Sequence, residues 1–153
     1  MDAEHFLKLE NQLCFAIYAC SREITRLYRP ILDELDLTYP QFLALTVLWE
    51  HKRLSVKEMS ELLLLDSGTL TPMLKRMEAM QLINRERAKD DERKVLIFLT
   101  DKGERLREAA LELPEKCVPH FGLTRNEYVD MLEKVNQMTR NIQKVTRKIN
   151  EVK

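Results

Sequence analysis

Only three glycines and five prolines punctuate the 153 residues, and no segment is repeated or of low complexity. So few breakers exclude a linker-dominated chain and confine expected disorder to the termini. Cysteine is scarce too. Cys14, Cys20 and Cys117 are odd in number and form no Cys-x-x-Cys pair, which excludes a disulfide scaffold or zinc knuckle and leaves three resting thiols. His5, His51 and His120 stand far apart, outside any His-Glu-x-x-His or His-x-Cys pattern, so neither a metal site nor a cofactor is expected. No apolar run approaches the roughly 18 residues of a membrane span. The start Met1-Asp2-Ala3-Glu4 lacks the basic n-region and apolar core of a signal peptide. The expectation is a soluble, cytoplasmic chain with no membrane partner. An excess of either charge is also missing: 25 basic side chains balance 25 acidic ones. The strong field of a polycationic nucleic-acid binder is excluded, and any such contact has to be local.

What is present suffices for one domain with a core, given the length and 44% hydrophobic content. From Phe6 onward, Leu9, Leu13, Ile17, Cys20, Ile24, Leu27 and Ile31 recur at helical spacing and predict one long helix with a buried stripe. Pro30 is expected to kink it or end it near Arg29, and Cys20 reads as a small core residue on the stripe. After the break Thr38-Tyr39-Pro40, the residues Phe42, Leu45, Val47, Leu48 and Trp49 predict a short, heavily buried helix. Ser55-Val56-Lys57-Glu58 has the form of a capping box and opens a third helix, ending near Leu64 or Leu65. Asp66 or Ser67 caps a fourth, to about Met80, with Leu70, Leu74, Met77 and Met73 as candidate inward residues. Two short helices joined by a tight turn read as helix-turn-helix. Ile83 to Arg87, a charged tip from Ala88 to Arg93, and Lys94 to Leu99 then predict a β-hairpin, a wing. Thr100-Asp101 caps a fifth helix reaching Pro114 at most. A last helix from Thr124 carries Tyr128, Met131, Val135, Met138, Ile142, Val145, Ile149 and Val152 three and four residues apart, a seam suited to a two-fold dimer.

The expected fold is mainly α with a small β-hairpin wing, a winged helix-turn-helix. One domain spans 1–153: residues 37–100 form the DNA-binding lobe, and 1–36 with 101–153 a helical dimerisation region from both termini.

The second helix of a helix-turn-helix enters the major groove. Ser67, Thr69, Thr71 and Lys75 lie where base and backbone contacts are expected, Arg76 can neutralise a phosphate, and Pro72 can offer its ring to a thymine methyl. Pro72 either interrupts the helix interior or sits at the first helical position with Thr71 as cap. At the hairpin tip Arg93 is placed to enter a minor groove, with Asp91 able to orient its guanidinium. Within Asp66 to Lys94, seven basic residues face six acidic ones, so the inference rests on geometry and not on net charge. The competing account makes the hydroxyls helix caps, the cations a solvated face and Cys14 a core thiol.

Asp66 to Arg76, the Asp91-Glu92-Arg93 tip with Val95 following, and Leu99-Thr100-Asp101-Lys102-Gly103 resemble the MarR family of winged-helix repressors. Cys14-Phe15-Ala16, Tyr18-Ala19, Ser21-Arg22-Glu23, Tyr28 and Thr38-Tyr39-Pro40-Gln41 resemble its OhrR branch of organic-hydroperoxide sensors, over most of Leu7 to Leu106. The resemblance implies a homodimer that binds palindromic double-stranded operator DNA and is released when an organic hydroperoxide oxidises Cys14. It also implies that Tyr18 and Tyr39, with Tyr28 from the other protomer, surround the thiolate as hydrogen-bond donors. An apolar surround of Phe15, Ile17 and nearby leucines suits organic peroxides. The sulfenic acid then condenses with a low-molecular-weight thiol, or with Cys117 as an inter-protomer disulfide; both routes stay open. No enzymatic role is expected. The alternatives are a thiol peroxidase, a protein-interaction module and, foremost, a MarR-type regulator gated by a small aromatic ligand in place of thiol oxidation.

Overall fold

The computed structural model describes residues 3–89 and 91–151; Val152 of the predicted seam and Asp90 of the predicted tip lie outside them. The elements are α1 (Ala3–Leu7), a 3₁₀ turn (Leu9–Asn11), α2 (Leu13–Glu34), α3 (Tyr39–His51), β1 (Arg53–Ser55), α4 (Val56–Leu63), α5 (Ser67–Ala79), β2 (Ile83–Arg87), β3 (Val95–Leu99), α6 (Asp101–Cys117), a second 3₁₀ turn (Val118–Phe121) and α7 (Arg125–Glu151). The chain falls into two compact units, Met1–Glu115 and Lys116–Lys153. The mainly helical winged helix-turn-helix of the sequence analysis is the fold found.

In the first unit, short polar residues fix the helix starts. Thr38 and Gln41 cap α3 reciprocally, with Pro40 in its first turn, and Ser55 and Glu58 do the same for α4. The Ser60 hydroxyl donates to the Leu65 carbonyl and Leu64 turns left-handed (φ 54°), which closes the turn between α4 and α5. Ala44, Leu45 and Leu48 of α3, Met59 of α4, and Leu70, Leu74 and Met77 of α5 are fully buried together with Ile97 of β3. Those three α5 residues are the ones that helical spacing predicts; Met73 is half-buried.

The wing is a three-stranded antiparallel sheet of order β1-β3-β2, with Leu54 opposite Ile97 and Arg85 opposite Ile97 on its other side. Strand β1, which local pattern does not announce, completes the predicted hairpin. Helix α6 is locked to the end of α5 by the segment Thr100 to Gly103. Thr100 donates its hydroxyl to the Gln81 carbonyl (2.6 Å) and accepts from the Gly103 amide (3.1 Å). Lys102 donates to the Met80 carbonyl at 2.9 Å, and the Trp49 indole to the Gly103 carbonyl at 3.0 Å.

Three boundaries differ from expectation. The N-terminal stripe is no single helix: the Asn11 side chain donates to the His5 carbonyl, Gln12 is extended, and α2 begins only at Leu13. Of the two effects expected of Pro30, the end near Arg29 is not found, since α2 runs on to Glu34, and Pro114 does not end α6. Both prolines are exposed, and each removes one backbone bond: Pro30 from the carbonyl of exposed Arg26, Pro114 from that of buried Ala110.

In the second unit, Thr124 and Glu127 cap α7, and Phe121 stacks on Tyr128 (6.4 Å, 20°) across the turn at Gly122. Along the predicted seam Met131, Ile142, Val145 and Ile149 are each more than half exposed. On α2 Leu13, Phe15 and Ile17 are exposed as well, and only Tyr28 and Leu32 of that helix are buried.

Candidate functional site

Asp66 is the N-cap of α5: its carboxylate accepts the Thr69 amide at 2.9 Å and the Thr69 hydroxyl at 2.8 Å. The one proton of that hydroxyl is thereby committed, so Thr69 offers an external partner only acceptor lone pairs. Because Ser67 is the first helical residue, Pro72 lies in the helix interior, and the arrangement with Thr71 as cap is not the one adopted. Lacking an amide proton, Pro72 leaves the Gly68 carbonyl without its helical partner, at the end of α5 where side chains are expected to read. Ser67, Pro72, Lys75 and Arg76 are exposed and Thr71 is half-buried.

The cap holds the Asp66 carboxyl below the usual carboxylate range, through the Thr69 hydroxyl first and its amide second. A group lowered on folding stabilises the fold above its unfolded value and loses that contribution as pH falls through the folded one. Asp66→Ala is therefore expected to lower the urea midpoint at neutral pH, with the gap to wild type closing below about pH 4. A gap that persists undiminished in acid would show that the carboxylate does not carry the cap.

Between α4, α5 and the wing runs an open groove that brings Thr71, Asp91 and Arg93 together with Arg85 and Lys94. Asp91 does not orient the Arg93 guanidinium as predicted. Its Oδ1 accepts the Arg93 backbone amide at 3.0 Å, so it shapes the turn and leaves the arginine head exposed. Arg85 is the residue that motif reading misses. It shares a face of β2 with buried Ile83, pairs with Glu78 of α5 at 3.3 Å, and keeps its Nε buried without a hydrogen-bond partner among the described residues. Strand alternation, which puts residues 83 and 85 on one face, is the signal that could have found it.

Cys14 is the second residue of α2, in the first turn, where backbone amides lack helical partners and give the helix a positive end. Its side chain is exposed, and so is Cys20, which is not the core residue expected. Cys117 is buried, and burial pushes its thiol up. Tyr28 and Tyr39 form an edge-to-face pair at 5.3 Å beside Phe42. Fourteen residues of continuous helix separate Cys14 from Tyr28, about 21 Å at 1.5 Å per residue. Tyr39, tied to Tyr28, is thus also beyond hydrogen-bond reach of the same chain's Cys14, which corrects its expected placement there. Tyr18, one turn from Cys14, lies under the Arg22 guanidinium at 5.5 Å.

Among the described residues no helix is long and apolar enough to cross a membrane, and no group of three His, Cys, Asp or Glu is placed to hold a metal. Residues 26–109 match the profile of the family Transcriptional regulator SarA/Rot. The chain is 62% identical over 108 residues to an organic hydroperoxide resistance transcriptional regulator of Bacillus subtilis, covering 71% of this chain and 74% of that one. It is 39% identical over 154 residues to the HTH-type transcriptional regulator MgrA of Staphylococcus aureus, covering 100% and 99%. Reduced AbfR bound to DNA superposes with TM-score 0.78 at 35% identity, over 92% of this chain and 99% of that one; AbfR, from Staphylococcus epidermidis, has also been solved with a disulfide formed. A capped α5, a wing closed by an Asp91 turn and a thiol opening α2 therefore sit on a chain that belongs to the winged-helix transcriptional regulators of the MarR and SarA/Rot type, on their organic-hydroperoxide-resistance branch.

Proposed function

We propose that the protein is a dimeric repressor that binds palindromic operator DNA when reduced and releases it when an organic hydroperoxide oxidises Cys14. The observation that carries this reading is the separation of Cys14 from the tyrosine pair within one chain. Cys14 opens α2, while Tyr28, paired with Tyr39 of α3, lies about 21 Å along the same helix, so beside Tyr18 of the same chain the Tyr28 and Tyr39 hydroxyls that hydrogen-bond the thiolate have to come from a second copy. The exposed apolar faces of α2 and α7 supply the surface for that copy. The relatives support the two halves separately: one regulates hydroperoxide resistance, and another has been solved reduced on DNA.

The thiolate attacks the distal peroxide oxygen; an S–O bond forms, the O–O bond breaks, and the alkoxide leaves and takes a proton. Sulfur is oxidised by two electrons and the peroxide reduced to an alcohol. The sulfenic acid then condenses with a thiol, losing water to form a disulfide. An exposed Cys14 admits a small thiol directly, whereas Cys117 has to leave its buried setting first. Either product adds bulk at the dimer interface, breaks the tyrosine hydrogen bonds and shifts the two reading heads off the half-site spacing. Phe15 and Ile17 beside the thiol favour hydrocarbon peroxides over hydrogen peroxide.

On DNA, α5 enters the major groove with Ser67, Thr71, Pro72 and Lys75, Arg76 meets phosphate, and Arg93 reaches the minor groove. Arg93→Ala is expected to weaken binding about tenfold to a hundredfold and to flatten the salt dependence by about one unit of slope. An unchanged affinity and slope would remove the wing from the interface. The reading as a whole is tested by anisotropy on a duplex selected by the reduced protein, before and after a stoichiometric pulse of cumene hydroperoxide, with intact mass recorded. Release accompanied by an oxidised Cys14 is expected; continued binding with Cys14 oxidised would sink it. A non-reducible mass gain or a small-thiol adduct separates the chemistries, and a cross-linked dimer lost in Cys117→Ser identifies the disulfide route.

A further inference from the structure

We infer that Arg22 is a positioning residue for the peroxide chemistry of Cys14, acting through the Tyr18 hydroxyl. The inference rests on the proposed function and adds a component to its sensor. Cys14, Tyr18 and Arg22 follow one another at four-residue intervals on α2, hence along one face. Helical side chains lean toward the N-terminus, so Arg22 covers the turn of Tyr18 and Tyr18 the turn of Cys14. The geometry agrees: the Arg22 guanidinium carbon lies 5.5 Å from the centroid of the Tyr18 ring.

Arg22 also keeps its charge for that ring. Among the described residues no carboxylate lies within ion-pair distance of it, whereas Arg26 is taken by Glu23 at 2.6 Å and Arg29 by Asp33 at 3.9 Å. A cation over the face of a phenol draws electron density from the ring and polarises the O–H bond. The polarised hydroxyl is a stronger donor, both to the thiolate before attack and to the alkoxide that departs when the O–O bond breaks. Arg22 itself touches neither sulfur nor peroxide. Its planar, delocalised head suits stacking in a way that a lysine ammonium matches only in charge.

The test is the second-order rate at which cumene hydroperoxide converts Cys14 to sulfenic acid, trapped with dimedone and read by intact mass. It compares wild type, Arg22→Met, Arg22→Lys, Tyr18→Phe and the double variant Tyr18→Phe/Arg22→Met, each confirmed dimeric by sedimentation. Arg22→Met is expected to slow oxidation about two- to fivefold, the size of an exposed cation–π contact, and Arg22→Lys to recover part of the rate. In the Tyr18→Phe background, Arg22→Met is expected to have no further effect, because the hydroxyl through which it acts is gone. Wild-type rates in Arg22→Met, or the same loss with and without the Tyr18 hydroxyl, would overturn the inference while leaving the redox reading intact. A wild-type protein that gains no oxygen at Cys14 would instead overturn the redox reading itself, and this inference with it.

Discussion

Cys14→Ser is expected to bind the selected duplex as tightly as the reduced wild type and to stay bound after a hydroperoxide pulse that reduces wild-type affinity at least about tenfold, or 1.4 kcal/mol. Serine is nearly isosteric, but its hydroxyl does not ionise near neutral pH and its oxygen is not oxidised by a peroxide, so it retains the shape of the site and removes the chemistry. The competing account, in which Cys14 is a packing residue, makes the opposite forecast. A buried cysteine replaced by a hydroxyl would cost stability and leave the peroxide response in place. Exposure of Cys14 in the first turn of α2 favours the sensor account, because the core of its own chain does not use the thiol for packing. Thermal denaturation of the reduced variant at matched protein concentration distinguishes the two, since a dimer's melting point depends on concentration. Release of Cys14→Ser by the pulse would move the sensing to another group.

The parts of this site that were legible in the sequence are those fixed by neighbours three and four residues away. Ser55 with Glu58 and the buried trio Leu70, Leu74 and Met77 follow from capping chemistry and helical periodicity, and the structure bears them out. What escaped depends on partners distant in the chain. Strand β1 is three residues long and owes its conformation to pairing with β3, some forty residues on. The Tyr28–Tyr39 pair joins two helices, so no spacing rule places Tyr39 on the far side of the sensor from its own Cys14. The stripe on α2 was visible as apolar but not as uncovered: periodicity marks which residues share a face and not whether this chain buries that face. No helix end falls at Pro30 or Pro114, because one proline removes a single backbone bond and the 22 residues of α2 and 17 of α6 keep the rest of their ladders. The motif from Leu99 to Gly103, by contrast, was legible as a family signature and acquires its physical content only in three dimensions.

That content makes Gly103 the position where a single methyl group is expected to do the most damage. A Cβ built there would lie 2.1 Å from the Leu82 carbonyl oxygen, 3.1 Å from its carbon and 3.1 Å from a Leu99 methyl. The obstacle is backbone, and the Leu82 carbonyl is held by the Thr100 amide at 3.1 Å, so neither side can yield alone. Helix α6 would have to lift from the start of β2, pulling on the Trp49 and Thr100 hydrogen bonds that meet at Gly103 and on the Lys102 bond beside it. Intrinsic propensity argues the other way, since alanine is favoured over glycine inside a helix by about 1 kcal/mol. The clash wins: Gly103→Ala is expected to destabilise by about 3 kcal/mol and to abolish duplex binding at temperatures where wild type is bound. Gly68→Ala is the matched control. Its Cβ would meet only the Asp66 carboxylate, at 3.0 Å, and a side-chain end can shift by the few tenths of an ångström required. Urea titration of both variants at one protein concentration should therefore give a large fall in midpoint for Gly103→Ala and a small change for Gly68→Ala. Equal midpoints would mean that the approach of α6 to β2 is looser than the Leu82–Gly103 contact shows, and that the Thr100 to Gly103 segment does not fix the reading helix against the wing.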